Sequence, residues 1–120
     1  MKAATLNDLF SEATVALTTV MYGDCRDAGI RRRITLEAAD SDELLQEFLS
    51  EVLYISEAEN IVFCGAQVRT DGRHLSATLT GEDFDPGRHN TGTEVKGISY
   101  SGLSIREEGE NYAVELLFDV

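Results

Sequence analysis

The sequence predicts an α+β fold, with two helices packed on a mainly antiparallel β-sheet. Three observations lead there. Two stretches, opening at Thr5 and Asp40, place a capping residue ahead of apolar residues at helical spacing. Two runs rich in strand formers, 61–70 and 74–82, flank Asp71-Gly72, a hairpin signal. The final ten residues, 111–120, alternate Tyr112, Val114, Leu116, Phe118 and Val120 onto one face.

Each element follows from its residues. Thr5 caps the first helix and Asp8 suits its first turn. Leu6, Leu9, Phe10, Ala13, Ala16, Leu17, Val20 and Met21 then form one apolar stripe, and Gly23 stops it. No strand is expected ahead of this helix. Ile34, Leu36 and Ala38 alternate with polar residues as a half-buried strand. Just before it, Arg31-Arg32-Arg33 reads as a solvated loop or strand edge rather than an anion site. Asp40 and Glu43 approach a capping box for a second helix ending near Glu57. Its face of Leu44, Leu45, Phe48, Leu49, Val52 and Leu53 turns inward, while Glu43, Gln46, Glu47 and Glu51 turn to solvent. In the hairpin, Leu75, Ala77 and Leu79 alternate with Ser76, Thr78 and Thr80, and His74 is expected at the exposed end. Residues 94–100 read as a strand that puts Lys96 on one face with Glu94, Ile98 and Tyr100. A short strand over 103–106 and a turn at Glu108-Gly109 lead into the last strand, apolar enough on both sides to be an inner one.

A chain of 120 residues is one domain with room for a core that needs no staples. The formal charge of −12 argues against direct nucleic-acid binding, which needs a Lys/Arg surface; solubility, a basic partner or a bound divalent cation fit it. No apolar run is long enough to span a membrane and no signal peptide stands out near Met1, so a cytoplasmic location is expected. Cys25 and Cys64 have no CxxC spacing and read as reduced, structural thiols rather than a disulfide or zinc site.

Two places concentrate chemistry. One is the loop from Gly81 to Gly92, with Glu82, Asp83, Asp85, Arg88 and His89. It lacks EF-hand spacing and a phosphate-loop motif, and reads either as a structured turn whose charges pair locally or as a recognition loop. The other is the chain end. There Asp119 and the terminal carboxylate of Val120 lie side by side and repel unless a cation, an Arg or a Lys sits between them.

Four blocks, taken together, resemble the archease family: residues 45–54 (LQEFLSEVLY), Gly81-Glu82-Asp83-Phe84-Asp85-Pro86 with His89, residues 94–100 (EVKGISY), and Phe118-Asp119-Val120. Their order runs through the whole chain, which makes the match specific where any one block would be weak. The resemblance implies a non-enzymatic accessory protein of an RtcB-type RNA ligase. Such a protein promotes guanylylation and repeated turnover of the ligase in tRNA splicing and RNA repair. It also implies a divalent cation, calcium by expectation, held by Asp119 and Val120, and a partner or anion contact for Lys96. The family's His-Thr-Ala-Asp segment and its strand have no counterpart in residues 1–120, and Ser101 stands where the family has His. Calcium prefers six to eight oxygens, so the expectation is weak binding or none, or a natural start further upstream.

Two other readings compete. One is a divergent calcium-binding or chaperone-like interaction protein without ligase activation. The other is an enzyme using Asp83, Asp85 and His89, which has no paired nucleophile and base in its favour.

Overall fold

The computed structural model describes residues 1–23, 25–87, 89, 95–98 and 103–119. Local capping chemistry starts both helices. The Thr5 side chain accepts from the Asp8 amide, and helix α1 covers Leu6–Tyr22. Gly23, at φ 80°, closes it by donating its N–H to the Thr19 carbonyl. Asp40 caps helix α2, Ser41–Glu59, by accepting from the Glu43 amide, and the Ala39 amide donates to Glu43 Oε2 at 3.4 Å. This helix outruns its expected end because Asn60 takes the left-handed conformation (φ 54°) and closes it on the Ser56 carbonyl.

The strands are β1 (Lys2–Ala3), β2 (Ile30–Glu37), β3 (Ile61–Thr70), β4 (His74–Asp83), β5 (Gly97–Ile98), β6 (Arg106–Glu108), β7 (Asn111–Ala113) and β8 (Phe118–Asp119). Among the described residues they form three antiparallel sheets, ordered β2-β4-β3, β1-β7-β6 and β5-β8. In β4, Leu75, Ala77 and Leu79 are buried while Ser76, Thr78 and Thr80 are not, so the alternation seen in the sequence sets which face meets the helices. The core lies there. Phe10 of α1 stacks on Phe48 of α2 with ring centroids 5.9 Å apart, and Leu9, Leu17, Leu44, Leu45, Phe63 and Val68 close around them.

A β-bulge between Phe63 and Gly65 leaves Cys64 without a ladder partner. Helix α1 covers this irregular stretch. The Thr18 hydroxyl donates to the Phe63 carbonyl at 2.6 Å, and the Ser11 hydroxyl to that of Ala66 at 2.7 Å. Gly81 faces the bulge, and a Cβ there would overlap the Val62 carbonyl and lie 3.0 Å from Phe63 Cα. Only glycine fits so close an approach.

Several sequence expectations are corrected. Strand β1 precedes the first helix, pairs with β7, and is held further by the Val114 amide donating to the Met1 carbonyl at 3.0 Å. Strand β2 begins at Ile30 rather than Ile34 and so takes in the three arginines; the solvated strand edge expected for them is borne out, since β2 is the outer strand of its sheet and Arg31 and Arg32 pair with Asp27 and Glu59 at its surface. Gln46 is buried, with its amide donating to the Ile98 carbonyl at 3.4 Å and to the Ser50 hydroxyl at 3.3 Å. The strand expected over 103–106 begins only at Arg106, and the Ile105 amide instead donates to the Asp42 carboxylate at 2.8 Å. The final run is not one strand. Its first part, β7, is the middle strand of one sheet, its last part, β8, belongs to another, and Val114–Leu117 connects them. Cys25 and Cys64 form a disulfide, with Cα atoms 5.3 Å apart, because the bulge turns Cys64 toward the segment after α1.

Candidate functional site

Of the strand expected over 94–100, the described part is Val95–Ile98. Val95 and Ile98 are buried, Lys96 between them is exposed, and Gly97–Ile98 forms β5. Strand β5 pairs with β8 in the register Gly97↔Asp119 and Ile98↔Phe118. Lys96 therefore adjoins the residue that faces Asp119 across the ladder. Two of the three residues singled out in the sequence, far apart along the chain, meet at one end of one small sheet. The third, Val120, lies outside the described residues, as do Glu94 and Tyr100, the expected face-mates of Lys96. The Gln46 side chain ties this sheet to α2 through the Ile98 carbonyl. Lys96 has no ion pair among the described residues. Its backbone is held between two buried residues, while its long, flexible side chain extends from an exposed position.

The loop after β4 is a pinned turn. The Asp85 carboxylate accepts from the Gly87 amide at 2.9 Å, and the Asp85 carbonyl accepts from the His89 amide at 2.7 Å. The Asp85 amide donates to His89 Nδ1 at 2.8 Å. That contact requires a lone pair on Nδ1, so Nε2 carries the ring hydrogen and donates to Glu82 Oε2 at 3.1 Å. The same oxygen accepts from the Arg26 amide. His89 is 2 % exposed and Glu82 4 %, and the rings of Phe84 and Tyr22 pack on the imidazole at centroid distances of 5.7 and 6.2 Å. At Asp85 and His89 the loop is a structured turn, closed by backbone amides and by the Glu82 carboxylate. A base with both ring nitrogens engaged and no open face is poorly placed for catalysis. His74 is exposed as expected, between Asp71 and Glu37 at 3.1 and 3.6 Å.

Beside this pin lies the disulfide. Among the described residues, Cys25, Cys64 and Glu82 bring their sulfur and carboxylate ligand atoms within 4.8 Å of one another. The sequence offered no signal for this grouping, because the bulge and the segment after α1 create it. No helix among the described residues is long and apolar enough to cross a membrane.

Comparison with known proteins agrees with this architecture. The family model described as the Archease protein family (MTH1598/TM1083) matches residues 1–120. The protein archease of Methanosarcina acetivorans is 28% identical over 122 residues, covering 97% of this chain and 84% of that one. The Pyrococcus furiosus protein archease is 33% identical over 106 residues, covering 84% of this chain and 75% of its own. The solution structure of Methanobacterium thermoautotrophicum protein 1598 superposes with a TM-score of 0.76 at 23% identity, over 99% of this chain and 88% of that one. A crystal structure of a Thermotoga maritima archease, described as a possible chaperone, does so with a TM-score of 0.71 at 12% identity, over 100% of this chain and 87% of that one. The two structures speak for the fold, the whole-length family match for descent, and the chain belongs to the archease family.

Proposed function

We propose that this chain is a non-enzymatic accessory protein of an RtcB-type RNA ligase, promoting guanylylation and repeated turnover of that enzyme in tRNA splicing or RNA repair. The observation that carries the reading is the family match over residues 1–120. The placement of Lys96 supports it: an exposed cation, unpaired among the described residues, on the segment whose strand pairs with the one carrying Asp119. An acidic chain suits docking beside a basic, phosphate-binding active site, with RNA contacts left to the ligase.

The family implies a divalent cation, and the donors carried over are hard oxygens: the Asp119 carboxylate and the terminal carboxylate of Val120. They suit calcium by type. They fall short of its usual coordination number. The fit is therefore to weak binding, in which the ion would neutralise the chain end and leave Lys96 free to meet the ligase.

Multiple-turnover ligation with a purified RtcB-type ligase tests the reading. Added wild-type chain should raise turnover and Lys96→Ala, with an unchanged circular dichroism spectrum, should not. Equal turnover with and without the wild-type chain would sink the proposal. It would leave the alternative, a chaperone-like interaction protein, the role suggested for the Thermotoga archease.

A further inference from the structure

The group beside the turn pin is a ligand set the ligase reading does not use. Two sulfurs and one buried carboxylate converge within 4.8 Å. Zinc takes such ligands at about 2.0–2.3 Å in a tetrahedron, which separates neighbouring donor atoms by roughly 3.3–3.8 Å. The distance between the Cys25 and Cys64 Cα atoms, 5.3 Å, admits that spacing once the sulfurs are no longer bonded. Neither cysteine stands inside a regular ladder. Cys64 is the extra residue of the bulge and Cys25 follows the end of α1, so neither residue is fixed by a ladder pairing of its own.

The carboxylate is already oriented. Glu82 Oε2 receives both the Arg26 amide and the His89 ring N–H. Hydrogen bonding of this kind orients a metal-binding carboxylate. His89 itself is not a ligand. Binding through Nε2 would move its hydrogen to Nδ1, directly against the Asp85 amide that now donates there. The site thus offers three protein donors, and a four-coordinate zinc held by them would take water as its fourth ligand, the pattern of an exchangeable rather than a closed structural zinc site.

We propose that this chain has two states of one site: a Cys25–Cys64 disulfide when oxidised, and a zinc site of Cys25, Cys64 and Glu82 when reduced. A dithiol reductant supplies two electrons and two protons to the disulfide and is itself oxidised to a disulfide. The ion then displaces the two thiol protons. A reducing compartment favours the second state and an oxidising one the first.

The test uses the full chain, oxidised and reduced, titrated anaerobically with cobalt and then zinc. The reduced wild type should show thiolate-to-cobalt absorption that one equivalent of zinc removes, and the oxidised wild type none. Cys64→Ser should abolish the absorption, and Glu82→Gln should weaken zinc binding by more than about tenfold. The oxidised wild type, folded and lacking only thiols, controls for loss of structure in the variants. Asp119→Ala should leave the signal intact, which separates this site from a cation at the chain end and from the ligase reading. Absence of thiolate-to-cobalt absorption in the reduced wild type, or zinc affinity unaltered by Cys64→Ser, would overturn the proposal.

Discussion

Replacing Gly81 with alanine should be among the most damaging small substitutions in this chain, and replacing Gly65, two residues beyond Phe63 on the facing strand, should be harmless. At Gly81 the new methyl group meets backbone on both counts, the Val62 carbonyl and, at 3.0 Å, Phe63 Cα. Backbone cannot rotate away, so the strands must part at the Phe63↔Gly81 pair. Overpacking of this sort costs about 1–3 kcal/mol. Losing one or two ladder hydrogen bonds adds about 0.5–1.5 kcal/mol each. The sum is about 1.5–6 kcal/mol, which at about 1.5 kcal/mol per M lowers a urea midpoint by roughly 1–4 M. At Gly65 the nearest atom to a built Cβ is Thr80 Oγ1 at 4.0 Å, an ordinary contact, and φ is not positive. Alanine there should change stability by no more than about 0.5 kcal/mol, on the favourable side, since it restricts the unfolded chain. Urea unfolding of the oxidised protein, followed by circular dichroism, reads both. A Gly81→Ala midpoint within error of the wild type, or a Gly65→Ala loss of similar size, would refute the steric account of the bulge.

Two further outcomes follow from the same contacts. Reducing the disulfide, which joins residues 39 apart, should remove about 4 kcal/mol by loop entropy, and Tm should fall by on the order of 10–20 °C without metal. A shift of a degree or two would show that the oxidised and reduced unfolded chains are equally restrained. Asp71 accepts the His74 and Arg73 amides and lies against the His74 ring, which lowers its carboxyl pKa from 3.8 to about 2. A depressed carboxyl stabilises the fold above its unfolded value and loses that effect as pH falls from about 4 toward 2. Carboxyl carbon NMR should place its midpoint near 2, and a midpoint at 3.8 would show that the turn's hydrogen bonds do not hold the carboxylate in solution.

Much of the fold was legible because its causes are local. Thr5, Gly23 and Asp40 act within a turn of their own positions, and the alternation through Leu75–Leu79 is set by the pleat alone. The division of 111–120 was not legible. A run that stays extended keeps the same period whether or not it stays in one ladder, and Leu117 looks like a core residue although it is 58% exposed. Gln46 was assigned to solvent by its polarity, and it is buried because β5 lies over it, a fact of tertiary placement. The disulfide needed a bulge to bring Cys64 round, and bulges leave little trace in composition. Asp119 stood out by its place beside the chain end, and Lys96 as a lysine among apolar neighbours, which either snorkels outward or reaches an anion. Their nearness rests on the pairing of two-residue strands, too short to carry a pattern.

Strand β1 pairs with β7, so the beginning of the chain is held against residues close to its other end. Closing so long a loop costs entropy that a pairing of two residues recovers poorly, whereas the β3–β4 hairpin closes over a short turn. Contacts of that range slow folding as a whole. The sheet carrying β7 leads directly through Val114–Leu117 to β8 and Asp119. The end of the chain that bears the proposed contact surface is thus tied, through β7, to the segment that opens the chain, and its geometry depends on both.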